Sequence, residues 1–242
     1  MIEIQDLVKA YDGFRAVDGL SLRVDSGEIL GLVGPNGAGK TTTLRCLAGI
    51  VPPTAGRVAI AGFDLQQQPI EARQRLAFVP DEPHLFDHLT ALDHLNLFSR
   101  LYGVADGSTR AETMLAEAGL RDQRLSFPGE LSRGMKQKLV IACALLHRPE
   151  ALVLDEPLTG LDPAAMRRMK RTVTDTAAAG ASVIVSSHML HLVEEVCDRV
   201  LIVSHGRSVL EGTLEEIRTQ LPDVGADADL ETLFLKATGG DQ

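Results

Sequence analysis

The sequence predicts an α/β fold: a mostly parallel sheet flanked by helices, with an N-terminal antiparallel β portion and an inserted helical lobe. Three observations predict it. Short apolar strands alternate with helical segments around and after the middle of the chain, the pattern of a parallel sheet built from crossovers. The N-terminal stretch instead alternates apolar with polar residues between glycines, as hairpin strands do. From about Pro83 to Pro149 the pattern turns helical, and strands then resume. A chain of 242 residues suits one large domain carrying such an insertion.

The elements follow in order. Ile2 and Ile4, then Leu20, Leu22 and Val24, alternate with polar neighbours, and Gly13, Gly19 and Gly27 mark turns. The run Ile29-Leu-Gly-Leu-Val33 is dense enough for a strand buried on both faces. A Gly-rich loop and a helix ending near Gly49 follow. In the helical stretch Thr90 and Ser108 predict N-caps, with Gly103 and Gly119 as C-terminal stops. Ser132 predicts the cap of a third helix running to His147 and ended by Pro149. Strands are expected again at Ala151–Leu154, Ser182–Ser186 and Arg199–Val203. Between the first two, Asp162 and Pro163 open a helix that Gly180 closes. Thr213-Leu-Glu-Glu216 is a capping box for a short helix before Pro222. The expected domains are a core over 1–82 and 149–222, a lobe over 83–148, and an acidic tail with a short helix over 223–242.

Composition narrows the function. Hydrophobic residues make up 45% and charged ones 24%, but aromatics only 4% with no Trp, so the core must come from Leu, Val, Ile and Ala. The net charge of -9 argues against a nucleic-acid partner, which needs a dense basic surface. Eight of the acids fall between Glu211 and the end, so the body is nearly balanced and the tail is acidic. Cys46, Cys143 and Cys197 are odd in number and widely spaced, which predicts buried apolar thiols on helices. The start, Met1-Ile-Glu-Ile, lacks the features of a signal peptide. The longest apolar run, Leu139 to Leu146, falls far short of the ~18–20 residues that span a bilayer. A soluble, cytoplasmic chain is expected.

Gly34-Pro-Asn36-Gly37-Ala38-Gly39-Lys40-Thr41 fits G-x-x-x-x-G-K-[ST], the P-loop pattern, between a buried strand and a helix. Glycines let backbone N–H groups turn inward on phosphate oxygens, and the helix N-terminus favours negative charge. Lys40 would reach the β- and γ-phosphates of ATP, and the Thr41 hydroxyl would ligate Mg²⁺, with Thr42 in the same first turn. An acidic partner follows at Ala151-Leu-Val-Leu-Asp155-Glu156. Asp155 stands at a strand's C-terminal end, where open α/β sheets bind ligands, and suits a second Mg²⁺ contact. Glu156 is then free to act as general base on water. An isolated Asp-Glu pair reads as a solvated turn; its place after a P-loop and a buried strand changes that reading.

With these motifs the chain resembles the ATP-binding subunit of an ABC transporter, over residues 1 to about 220 and on to the end. Leu131-Ser132-Arg133-Gly134-Met135 stands where that family carries Leu-Ser-Gly-Gly-Gln, although Arg133 and Met135 depart from it. The resemblance implies that Ser132 and Gly134 hold the γ-phosphate of ATP bound to a second subunit. Taken alone, Ser132 is simply an N-cap. Gly160-Leu161-Asp162 resembles the D-loop at the dimer interface, and Ser186-Ser187-His188 resembles the switch whose His contacts the γ-phosphate. Tyr11, with Val17 close by, resembles the adenine-stacking aromatic; by itself it reads as a half-buried strand residue. Asp81, after Ala77-Phe78-Val79-Pro80, stands where the family usually has Gln at the magnesium ion, so the role is expected in altered form.

The resemblance therefore implies an ATPase with Glu156, His188 and Lys40 as catalytic residues and ATP with Mg²⁺ in the site. It implies a dimer around ATP that drives a separate membrane permease, with peripheral attachment to the inner face of the membrane. The stretch Ser132–Leu139 and the tail from Leu230 are similar to bacterial exporter-type ATPases, which points to export. Two rivals share the phosphate loop. A P-loop kinase needs neither the Ser132 helix nor Asp-Glu-Pro followed by Gly-Leu-Asp. A non-transport ABC ATPase, remodelling a protein or nucleic-acid complex, typically carries two cassettes or a coiled-coil insertion. His84 and His88 would pair on a metal only in a helix, and Pro83 with Asp87 predicts a loop. The cluster Arg167 to Arg171 predicts a solvated helix face.

Overall fold

The computed structural model describes every residue except Gly160, Pro222, Asp223, Ala226 and 240–242. At the N-terminus the alternating pattern becomes a hairpin of β1 (Ile2–Tyr11) and β2 (Phe14–Val24). Behind β3 (Ile29–Val33) the chain adds β4 (Ala55–Ile60) to the free edge of β1 and the two-residue β5 (Phe63–Asp64) beyond it. This four-stranded sheet is antiparallel throughout, and the short helix α2 (Pro69–Gln74) leads out of it. The sequence pattern missed β4, because Ala55, Gly56 and Arg57 present no apolar alternation and are exposed.

The second sheet has six strands. It contains β3, β6 (Leu76–Val79), β7 (Ala151–Asp155), β8 (Ser182–Ser186), β9 (Arg199–Ser204) and β10 (Arg207–Gly212) in the order β10-β9-β3-β8-β7-β6. All pairings are parallel except that of the edge strand β10. β3, β7 and β8 are buried at every residue, which explains their unbroken apolar runs. On one face, α1 (Lys40–Leu47) and the antiparallel sheet bring Leu44, Leu47, Ile4 and Leu22 against Leu30 and Leu32. On the other, α6 (Pro163–Ala178) buries Ala165, Met169, Val173 and Ala177, one residue per turn. Arg167, Arg168 and Arg171 are exposed, the solvated face expected of that cluster.

Between β6 and β7 lie α3 (Ala91–Leu101), α4 (Gly107–Glu117) and α5 (Arg133–Leu145), with a core of their own that includes Leu95, Leu115 and Leu139. Thr90 caps α3 in a capping box with Asp93, and Ser132 Oγ accepts from the Met135 N–H at 3.3 Å. Two expected boundaries need correction. Ser108 is not a cap: the chain enters α4 through Asp106 at φ 51°, with Gly107 packed so closely that a Cβ would lie 1.6 Å from Ser99 Oγ. And α5 stops at Leu145 rather than His147, whose ring turns away to stack on Tyr102 with centroids 3.8 Å apart.

The C-terminal part runs through α7 (Leu190–Val196), α8 (Leu214–Gln220) and α9 (Leu230–Thr238). The capping box of Thr213 and Glu216 opens α8 as expected. Asp223, the expected start of the acidic tail, lies outside the described residues, as does Pro222 before it. Despite its charge the tail is no appendage, since Leu230 and Leu233 are fully buried against Val33, Val193 and Ile202. Cys46 and Cys143 are buried on helices, while Cys197 sits just beyond α7 as its C-cap. Burial pushes the Cys143 and Cys197 thiols up to about 12, so they behave as apolar groups.

Helix α7 packs directly on the middle of β3. A Cβ on Gly31 would lie 2.4 Å from Val193 Cγ1 and 3.1 Å from Cys197 Sγ. Gly31→Ala is therefore expected to destabilise the fold by about 1–3 kcal/mol through overpacking. Urea unfolding should show a lower midpoint at unchanged slope.

Candidate functional site

Two glycines of the loop between β3 and α1 have no room for a side chain. A Cβ on Gly34 would meet the Val203 carbonyl oxygen at 2.4 Å, and one on Gly39, at φ 100°, the Ala16 carbonyl oxygen at 2.4 Å. No side chain caps α1 and no acid stands in its first turn, so its leading N–H groups and dipole are left to attract an anion. Lys40 is 9% exposed and bends back over the loop, donating to the carbonyls of Gly34 at 2.5 Å and Pro35 at 3.1 Å. Burial lowers its pKa, against the opposing pull of Glu156 and Asp155. A desolvated ammonium beside bare amides is a site for a polyanion.

The acidic half is assembled by sheet register. β7 and β8 are parallel neighbours with Asp155 opposite Ser186, so the residues that follow each strand emerge side by side. Ser186 Oγ donates to Asp155 Oδ1 at 2.6 Å and accepts from the Glu156 N–H at 3.1 Å. Glu156 sits at φ 48°, a left-handed conformation unfavourable for a residue with a Cβ. Its Oε2 accepts from the His188 backbone N–H at 3.3 Å and lies 2.8 Å from His188 Nδ1. His188 is largely exposed, so a ligand has access to this pair from the cleft.

These parts line one open cleft of about 510 Å³. Its floor is Asn36, Gly37, Ala38, Gly39, Lys40, Thr41 and Thr42; Asp81, Glu156 and His188 line it too. Tyr11, paired with Phe14 across the turn joining β1 and β2, borders it, and Lys9 Nζ stands 4.8 Å from the centre of the Tyr11 ring. Gly34 and Asp155 are buried residues that do not line the cleft. Val17 departs from expectation: it is 1% exposed in the core, because strand alternation turns Ala16, not Val17, towards the cleft. Ser132, Gly134 and Asp162 lie outside it at the starts of α5 and α6, where Asp162 Oδ1 accepts from the Ala165 N–H at 2.8 Å. Gly160 is outside the described residues.

Three lining residues escaped the sequence reading. Phe14 is 68% exposed, and the Asp12-Gly13 turn that puts it beside Tyr11 was a legible signal. Ala16 is an ordinary strand residue of the lining, and no sequence signal marks it. Thr159 Oγ1 is buried at the cleft without a hydrogen-bond partner among the described residues. No group of three or more His, Cys, Asp and Glu among the described residues is placed to hold a metal ion, and His84 and His88 lie in the loop before α3.

Comparison with known proteins agrees with this geometry. The family model "ABC transporter" matches residues 17–159. The chain is 40% identical over 213 residues to the Nod factor export ATP-binding protein I of Burkholderia pseudomallei, covering 87% of this chain and 70% of that protein. It superposes on a solved ATP-binding subunit of an ABC transporter with TM-score 0.93 at 35% identity, over 98% of this chain and 99% of the other. A dimeric ATP-binding cassette solved after hydrolysis with ADP and Pi superposes with TM-score 0.79 at 25% identity, over 88% and 99% of the two chains. With the mixed sheet and phosphate loop in place and this likeness running the length of the chain, the protein belongs to the ABC transporter family, as one of its ATP-hydrolysing cassettes.

Proposed function

We propose that the protein is the ATPase subunit of an exporter, closing as a dimer on ATP and driving a separate membrane permease. The observation that carries the reading is the convergence of Lys40, Glu156 and His188 on one cleft bordered by the exposed aromatic rings of Tyr11 and Phe14. Export is favoured because the Burkholderia relative is named for it. No helix among the described residues is long and apolar enough to cross a membrane. On this reading the permease spans the bilayer and holds the cassette against its cytoplasmic side.

Each residue has a task in this scheme. The amides from Asn36 to Thr42 and the Lys40 ammonium bind the phosphates, and Tyr11 with Phe14 stacks on the base. Thr41 and Asp81, both in the cleft lining, would supply oxygen ligands of the hard kind that Mg²⁺ prefers, and Asp155, buried behind the lining, would act on the ion through a water. When bound, Mg²⁺ neutralises charge that builds on the phosphates. Glu156 draws a proton from the attacking water, and His188 orients the Glu156 carboxylate through the contact at Nδ1. Ser132, Gly134 and Asp162, at the starts of α5 and α6, face the nucleotide of a second cassette. Closure on ATP is then a population shift, because ATP touches both subunits only in the closed state.

Co-purifying the cassette with its membrane partner tests the proposal. ATP hydrolysis should rise in the complex and respond to the exported compound; a complex whose hydrolysis matches the free cassette under all substrates would overturn the coupling. Tyr11→Ala should raise KM for ATP with kcat nearly unchanged, as expected for stacking worth about 1–3 kcal/mol. Phe14 on the opposite strand holds the loss towards the lower end, and steady-state kinetics measure it.

A further inference from the structure

We propose that a second cavity, between the helical lobe and α6, binds a small amphipathic carboxylate. The cavity measures about 140 Å³, the size class that takes up one benzene-like molecule. Met114 of α4 and Ile141 and Leu145 of α5 form one wall, and Ala165 and Met169 of α6 the other. None of its lining residues lines the nucleotide cleft.

Its polar groups specify the ligand. Gln137 is 5% exposed and lines the cavity, and its amide nitrogen has no hydrogen-bond partner among the described residues. Buried donors in folded proteins are rarely left unpaired, so this one calls for an acceptor. Lys138 from α5 and Arg168 from α6 line the same space, and neither side chain takes part in any of the ion pairs or side-chain hydrogen bonds among the described residues. Both act electrostatically on Asp162, whose Oδ1 is already committed to the Ala165 N–H. Glu117 is the one acid in the lining, and its charge acts on Arg110 of its own helix. With the Thr172 hydroxyl the lining offers four donor side chains, two of them cationic, against the single Glu117 carboxylate at the edge of an apolar space. That set fits an acceptor-only anion with a short apolar tail.

Position gives the site a consequence. Lys138 and Arg168 each lie six residues beyond the N-cap of their helix, Ser132 and Asp162 respectively. A carboxylate joining them ties the start of α5 to the start of α6. If those starts face a partner's nucleotide, as in the proposed function, occupancy also tunes dimer closure; binding itself does not depend on that reading.

Calorimetric titration of the full chain, without nucleotide, with benzoate and hexanoate beside benzyl alcohol and hexan-1-ol tests the site. The acids should bind saturably with Kd of about 1 mM, as their size allows, and raise the Tm. The alcohols should bind at least about tenfold more weakly, since they cannot make charge-assisted contacts. The double variant Lys138→Gln/Arg168→Gln should lose about tenfold in benzoate affinity while keeping ATP binding, and Ile141→Phe, which fills the space, should abolish benzoate binding. Acids and alcohols binding alike, no saturation by the acids, or unaltered benzoate affinity in the double variant would each overturn the proposal. Lys138 is half-buried and Arg168 exposed, so the double variant should fold and the test stands even where Ile141→Phe misfolds.

Discussion

Replacing Glu156 with Gln is expected to slow ATP hydrolysis by about 10²–10⁴-fold while ATP binding survives, the usual worth of a positioned general base. Gln keeps the shape and one oxygen acceptor, so the contact from the His188 backbone N–H, now 3.3 Å, is retained. What is lost is the carboxylate's ability to take a proton. Because product formation is what reopens the pair of subunits, ATP should then hold the variant as a dimer. Size-exclusion chromatography of Glu156→Gln with and without Mg-ATP, alongside a phosphate-release assay, examines both halves. Hydrolysis at the wild-type rate would remove Glu156 from the role of base, and a variant that stays monomeric with ATP would count against the dimer cycle.

Lys40→Ala is expected to abolish tight ATP binding. Losing one partner of a desolvated, hydrogen-bonded charge pair costs about 2–5 kcal/mol, on the order of 10²-fold or more in affinity. The lysine is already largely withdrawn from water and held by carbonyls of its own loop. On the proposed reading those contacts are exchanged for phosphate oxygens on binding, with little further desolvation of the ammonium. Isothermal titration with Mg-ATP measures the loss, and circular dichroism checks that the fold persists. Retained micromolar affinity would show that the loop amides alone hold the nucleotide.

Both variants act on residues that could be named before any coordinates, and the reason is locality. A phosphate loop is a property of eight consecutive residues, here Gly34 to Thr41, since glycines set the backbone and the helix start supplies the field. The same holds for the caps at Thr90, Ser132, Asp162 and Thr213, each a side chain accepting from an N–H three residues on. Where the local signal was ambiguous the reading slipped by a residue or two. Ser108 looked like a cap because serine often is one, but the close approach of Gly107 to Ser99 on another helix set the start of α4. Val17 and Ala16 are neighbours of similar character, and only the pairing of β2 with β1 decides which of them faces the cleft.

By itself, then, the sequence determined the class of fold, the phosphate loop, the acid pair after a buried strand and the helix starts at Thr90, Ser132, Asp162 and Thr213. All of these depend on backbone preferences and hydrogen bonds spanning about one turn or one strand. Tertiary structure alone decided that Asp155 stands opposite Ser186, bringing Glu156 to His188 across 32 residues of chain. It also decided that the acidic tail docks Leu230 and Leu233 into the core, that Phe14 stands beside Tyr11 at the cleft, and that α5 and α6 leave a cavity between them. Strand register and the choice of which faces meet come from many weak apolar contacts between distant segments, summed over the whole core, and no short stretch of residues carries that sum.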